Sequence, residues 1–116
     1  MKSIVTLVAV LLFTSGSCLY AASLANEGRA DAMDACSACH QVTVEQKRPQ
    51  AVHDLDDWDV LASTFSEIAK RYSGRTVALR SAIIKPAHPM KEQQFDPAEV
   101  RTIMAYIRSL RHEKDF

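Results

Sequence analysis

Several features that would mark a specialised surface are missing from this chain. Basic and acidic residues balance at 14 each, so no excess of positive charge argues for nucleic-acid binding or a polybasic membrane patch. No internal repeat or low-complexity tract occurs. Long apolar runs are absent too: the stretch from Ile4 to Phe13 falls short of the ~20 residues that cross a bilayer. A total of 116 residues suffices for one domain but is small for folding on a side-chain core alone, so an additional source of buried apolar surface is expected.

What is present begins with Lys2, the short apolar run and a small-residue region, the order of a secretory signal peptide. Residues 1–25 are therefore expected to be removed, with cleavage after a position between 22 and 25; Ser23 and Ala25 form an A-x-A-like site. TSGSC faintly matches a lipobox, but Ser15 stands where leucine is preferred, which assigns Cys18 to the discarded peptide rather than to a lipid anchor. Removal of Lys2 leaves 13 basic against 14 acidic residues, a charge of −1, and no integral membrane span in the mature chain. The expected location is the periplasm, an oxidising compartment in which two idle neighbouring thiols would risk pairing.

Residues 26–116 read as one all-α domain. DPAEVRTIMAYIRSLRHE, from Asp96, places Val100, Ile103, Met104, Ile107 and Leu110 on one helical face. Asp96 suits the N-cap, Pro97 the first turn, and Glu99 completes a capping box. NEGRADAMDACSAC predicts a first helix in which Gly28 costs about 1 kcal/mol relative to alanine, so a close approach by another element is expected there. TFSEIAKRYSG and RTVALRSAIIK predict two short helices divided by Gly74, while residues 41–59 and 85–97 read as irregular connections.

The chemistry lies in Cys36-Ser37-Ala38-Cys39-His40. A redox dithiol of this spacing normally follows a strand in a βαβ unit, and no such strand precedes it. A zinc site needs two further paired ligands, and His53, His88 and His112 are scattered. C-x-x-C-H is the attachment signal of c-type haem: two sulfurs three residues apart on a helical turn, followed by an imidazole for the iron.

Gly28 eight residues before Cys36, the CSACH motif, HPM ending at Met90, and VRTIMAYIRSL together resemble class I c-type cytochromes along essentially the whole mature region. The resemblance implies a small cytochrome c fold, with N- and C-terminal helices crossing and short helices and loops wrapping one covalently attached haem c. It implies that Gly28 packs against Tyr106. Family members often carry Gly-Pro soon after the motif, its carbonyl accepting the axial histidine's other N–H; here Pro49 follows Arg48, and that acceptor is sought in its neighbourhood.

Cys36 and Cys39 are thus the expected cofactor-binding residues, His40 and Met90 the expected iron ligands. Met90 lies in a proline-stiffened loop that can present its thioether with little ordering entropy. Met104 reads as core filler, Met33 lies on the His40 side by connectivity, and His88 is the rival ligand. Trp58, Arg71, Tyr72, Arg75 and Arg80 are available donors for haem propionates, Trp58 foremost by analogy and otherwise a core residue.

An iron closed on both faces suits one-electron transfer between transient redox partner proteins rather than catalysis. The acidic run DLDDWD at 54–59 offers steering of a basic partner, a solvated loop being the plainer reading. Three other functions stay open. The domain could serve as a subunit of a periplasmic oxidoreductase complex. A weak Met90 bond would leave an open distal site suited to gas sensing or peroxidase-like chemistry. Thiol oxidation is the last.

Overall fold

The computed structural model describes residues 2–53, 59–87 and 89–116, with side chains from residue 17 onward except those of 52 and 53. Trp58, His88 and residues 54–57 of the acidic run lie outside the described residues. The elements are α1 (Lys2–Cys36), β1 (Val52–His53), β2 (Asp59–Val60), α2 (Phe65–Arg71), α3 (Thr76–Ile84) and α4 (Pro97–Ser109), closed by a 3₁₀ turn at Leu110–His112. The architecture is all-α apart from one two-residue ladder. Among the described residues, no helix is long and apolar enough to cross a membrane.

The closing helix α4 starts where its capping signals place it. Asp96 accepts from the Ala98 N–H at 2.7 Å, and the Glu99 carboxylate accepts from the Asp96 N–H at 2.8 Å. Val100, Ile103, Met104, Ile107 and Leu110 are all buried, so the 3.6-residue period is the packing face. A second capping box, Thr64 with Glu67, starts α2. Gly74 divides α2 from α3 at φ 71°, a left-handed conformation that glycine adopts without a Cβ penalty.

The first helix differs from expectation at both ends. Instead of covering 26–39, α1 runs from Lys2 to Cys36, and residues 37–40 form a turn in which the Cys39 and His40 N–H groups donate to the Cys36 carbonyl at 3.2 and 2.9 Å. Residues 17–23 are exposed, Leu24 and Ala25 half-buried, and packing against α4 is tight by Gly28 and Ala32. Gly28, Ala32 and Cys36 recur at intervals of four, giving α1 a stripe of small residues against the core.

At Gly28, α1 meets the backbone of α4. A Cβ at residue 28 would overlap the Thr102 carbonyl and lie 3.0 Å from the Ile103 nitrogen. The two backbones come so close that no side chain fits between them; Tyr106 follows one turn further along α4. Its hydroxyl donates to the Val42 carbonyl at 2.8 Å, and burial pushes the phenol pKa up, so it stays a neutral donor. Beside the crossing, the Thr102 hydroxyl lies 2.5 Å from the Asp31 carboxylate and 2.9 Å from the Glu99 carbonyl.

The connection expected to be irregular holds an antiparallel pair, Val52 opposite Val60 and His53 opposite Asp59. Two residues per strand are too few to leave an alternating pattern. At the C-terminus Asp115 takes hydrogen bonds from Lys70 and, at 3.1 Å, from Ser66, tying the tail to α2. Those bonds hold its carboxyl below the usual range, the Lys70 bond most.

Gly28→Ala tests the crossing. Alanine favours an isolated helix by about 1 kcal/mol. Here the overlap with Thr102 forces the helices apart, and thermal unfolding of the cofactor-loaded protein is expected to show a net loss of about 1–3 kcal/mol.

Candidate functional site

Where α1 ends, its last turn delivers Cys36 and then His40 to one wall of a cavity of about 230 Å³. Phe65, Ile68 and Tyr72, from α2 or its flanks, form a second wall. Leu79, Ala82 and Ile83 of α3 form a third, and Ile103 and Ile107 of α4 a fourth. The strap after α3 contributes Pro86, Ala87 and Met90. Apolar side chains from all four helices thus turn inward to one space, as they would around an apolar plate.

Of the sequence-predicted residues, Cys36, His40 and Met90 share this cavity. Cys39, one turn after Cys36, is exposed and is not part of the wall. Met90 is half-buried in a turn where its N–H donates to the Ala87 carbonyl at 3.2 Å. Met104 is buried in the core and Met33 packs against it; neither lines the cavity, so Met90 is its only methionine among the described residues. The rival ligand His88 lies outside the described residues.

His40 is held with care. Its Nδ1 lies 2.7 Å from the Ser63 carbonyl, an oxygen that only accepts, so Nδ1 carries the proton and Nε2 keeps its lone pair. Nε2 has no protein partner among the described residues. Phe65 meets the imidazole edge-on, with centroids 5.9 Å apart at 64°, and Tyr106 follows behind Phe65 at 6.2 Å. The acceptor sought near Pro49 is therefore Ser63, 23 residues from the histidine. Arg48, the neighbour of Pro49, instead donates to the Ala62 carbonyl at 3.1 Å and to Glu67 at 3.4 Å, fixing the segment that carries Ser63.

Gln46 is a site residue that the motif reading missed. Its amide nitrogen donates to the Ser37 and His40 carbonyls at 2.8 and 3.1 Å, and its oxygen accepts from the Val42 N–H at 2.8 Å. One side chain thus satisfies three backbone groups of the Cys-x-x-Cys-His turn. A glutamine six residues after the histidine carries no spacing rule that could have revealed this.

The Cys36 thiol does not suit redox exchange. Cys36 and Cys39 are unpaired, and burial, with a smaller contribution from Cys39, pushes the Cys36 thiol up to about 11. At neutral pH it stays protonated, whereas an attacking thiol needs a lowered pKa. Among the described residues no cluster of three or more His, Cys, Asp or Glu could hold a metal; the His53 side chain and His88 lie outside them. Of the proposed propionate donors, Arg71 and Tyr72 line the cavity, and Arg71 donates to the Ser63 hydroxyl at 3.3 Å. Arg75 stacks over Tyr72 and Arg80 faces a separate groove; neither lines this cavity.

An imidazole with one free nitrogen, a thioether, a thiol and an apolar lining fit a porphyrin with a central iron. Comparison with protein families matches Cytochrome c over residues 25–111, three-quarters of the chain. The chain belongs to the cytochrome c family, as a class I c-type cytochrome whose cofactor is covalently attached haem c. Haem-based electron transfer follows from that membership. Comparisons with curated proteins and with solved structures find no match.

Gln46→Leu removes all three bonds to the attachment turn at similar side-chain size. The cofactor-loaded variant is expected to lose about 1–3 kcal/mol in denaturant unfolding, because polar groups are left unpaired in part-buried positions.

Proposed function

We propose that this chain is an exported, periplasmic carrier of single electrons. Its N-terminal residues are removed after a position between 22 and 25, its haem is bonded through Cys36 and Cys39, and its iron is held by His40 and Met90. The observation that carries this reading is the meeting of Cys36, His40 and Met90 on one apolar cavity, with the His40 tautomer set by Ser63. Exposure of residues 17–23 supports a mature domain that starts just beyond them.

When bound, the haem supplies an iron that stores one electron as Fe(II) and releases it as Fe(III). His40 offers Nε2 as ligand, and the Ser63 carbonyl raises the basicity of that nitrogen while preventing ring rotation. Met90 would supply a soft thioether as the second iron ligand, which favours the reduced iron more than a second imidazole would. Leu79, Ile83, Ile103 and Ile107 keep water from the iron's surroundings. With His40 and Met90 both serving as iron ligands, the residues would suit electron transfer rather than substrate binding at the iron.

The test is a pair of spectra, oxidised and reduced, of protein matured in an exporting host, together with its intact mass. Covalent haem, a low-spin iron and a sulfur-to-iron absorption are expected; haem that extracts into acidified acetone would overturn the attachment. Met90→Ala is expected to let the reduced protein bind carbon monoxide, and Met90→His to lower the reduction potential. Unchanged carbon monoxide exclusion and potential would remove Met90 as ligand. Cys36→Ala with Cys39→Ala is expected to leave an unfolded or degraded chain, since the apolar walls then enclose no plate.

A further inference from the structure

The oxygen that orients His40 sits on a stretch of chain with no regular structure to hold it. Residues 61–64 join β2 to α2 and belong to no helix or strand. Ser63, unlike a proline, is free to turn about both backbone dihedrals. Yet its carbonyl must stay 2.7 Å from Nδ1 for the imidazole to keep its proton and its orientation there. Whatever holds the segment acts on the iron ligand.

The two ends of the segment are tied separately. At the α2 end, the Phe65 N–H donates to the carbonyl of Gln41, the neighbour of His40, at 2.9 Å, and the Thr64 and Glu67 capping box fixes the first turn. At the other end the tie is a side chain. One terminal guanidinium nitrogen of Arg48 donates to the Ala62 carbonyl at 3.1 Å and to the Glu67 carboxylate at 3.4 Å. Arg71 reaches Ser63 too, at 3.3 Å, but through the hydroxyl, which can rotate without moving the carbonyl.

Arg48 is itself restrained. It precedes Pro49, whose ring confines the residue before it to extended backbone, so the arginine leaves the chain in a narrow range of directions. As an exposed ion pair, Arg48 with Glu67 contributes little to stability. Its effect is on the position of an oxygen.

We infer that Arg48 is a positioning residue for the iron ligand: by clamping Ala62 to Glu67 it holds the Ser63 carbonyl against His40 Nδ1 and so lowers the reduction potential. The inference rests on His40 as iron ligand and deepens that reading by naming what sets the ligand's strength. A carbonyl held on the Nδ1–H pushes electron density toward Nε2, and a more basic nitrogen favours Fe(III) over Fe(II). Release of the clamp therefore raises the potential. Simple charge acts in the opposite sense, because a cation favours the added electron and its removal lowers the potential. The sign of the change separates the two.

The test is Arg48→Met in the holoprotein, read by the midpoint of a redox titration and by nuclear magnetic resonance of the His40 Nδ1 proton in the Fe(II) state. The midpoint is expected to rise by about threefold in the one-electron equilibrium constant, which is about 28 mV at about 59 mV per tenfold. Exchange of the Nδ1 proton with solvent is expected to quicken about tenfold. Lys47→Met removes the same charge from the neighbouring exposed position, where no bond to Ala62 is made, and is expected to leave exchange unchanged without raising the midpoint. Where Arg48→Met does not accumulate as holoprotein, Arg48→Gln, polar but shorter, is read in the same way. A midpoint that falls or stays, an unchanged exchange rate, or an equal response in Lys47→Met overturns the clamp. The spectrum of the unaltered protein is read first. His40 ring protons without the large upfield shift that a haem plane imposes on its axial ligand overturn the ligand reading and the clamp together, whereas shifted ring protons with any of those three results overturn the clamp alone.

Discussion

Everything at the site depends on how closely α1 and α4 approach at Gly28. With the Thr102 carbonyl where a Cβ would be, the two helices share a backbone contact rather than a layer of side chains. Their relative position is then set by hard atoms instead of adaptable rotamers. From that fixed crossing, α1 carries Cys36 and the turn to His40 into the cavity, while α4 presents Ile103 and Ile107 to it. A shift of α4 outward by one methyl would change the distance between Cys36 and the wall opposite. The Asp31 to Thr102 contact adds direction to the same crossing, since a hydrogen bond tolerates less rotation than apolar packing.

Much of the helical frame was legible because its signals are local. Asp96, Pro97 and Glu99 mark the start of α4, the apolar period marks its buried side, and Gly74 marks the break between α2 and α3. The Cys-x-x-Cys-His motif and Met90 stand out in the sequence for a different reason: their chemistry is scarce, so few alternatives compete. Residues that position the site were not legible. Ser63 acts through its backbone carbonyl, which any residue possesses, and Gln46 acts through a geometry that exists only after the turn has formed. The family's proline signal drew attention to Pro49, yet the acceptor for His40 comes from the extended segment before α2. That Gly28 meets the Thr102 carbonyl itself was not legible either, because which atoms of α4 a glycine meets depends on helix separation, and sequence spacing does not encode that.

The attachment turn shows how tertiary bonds can substitute for helix propensity. Once α1 ends at Cys36, the backbone groups of residues 37–42 lose their helical partners and must find others. Gln46 takes three of them, Tyr106 takes the Val42 carbonyl, and Gln41 offers its carbonyl to the Phe65 N–H at 2.9 Å. These bonds reach the 43–46 turn, α4 and α2, so the turn holding the two cysteines and the histidine is braced from three sides. A site braced in this way changes little in shape when charge changes at its centre. For one-electron transfer that matters directly, because every atom that must move on reduction adds to the barrier.

Charge placement follows from the same division of labour between inner and outer faces. Leu79, Ala82 and Ile83 are committed to the cavity, so only the outer positions of α3 are free to carry charge, and those positions hold Arg80, Lys85 and the exposed Val77. Placing cations there leaves the cavity's own lining apolar, with the surface charges a helix-width away and screened by water. Carboxylates on this face would have made pairs with the same cations and hidden them, as Glu45 does for Arg29 and Glu67 for Arg48 elsewhere on the molecule. Carboxylates are absent from residues 68–91, and Arg75, Arg80, Lys85 and Lys91 have no carboxylate partner among the described residues, in a chain whose overall charge is close to zero.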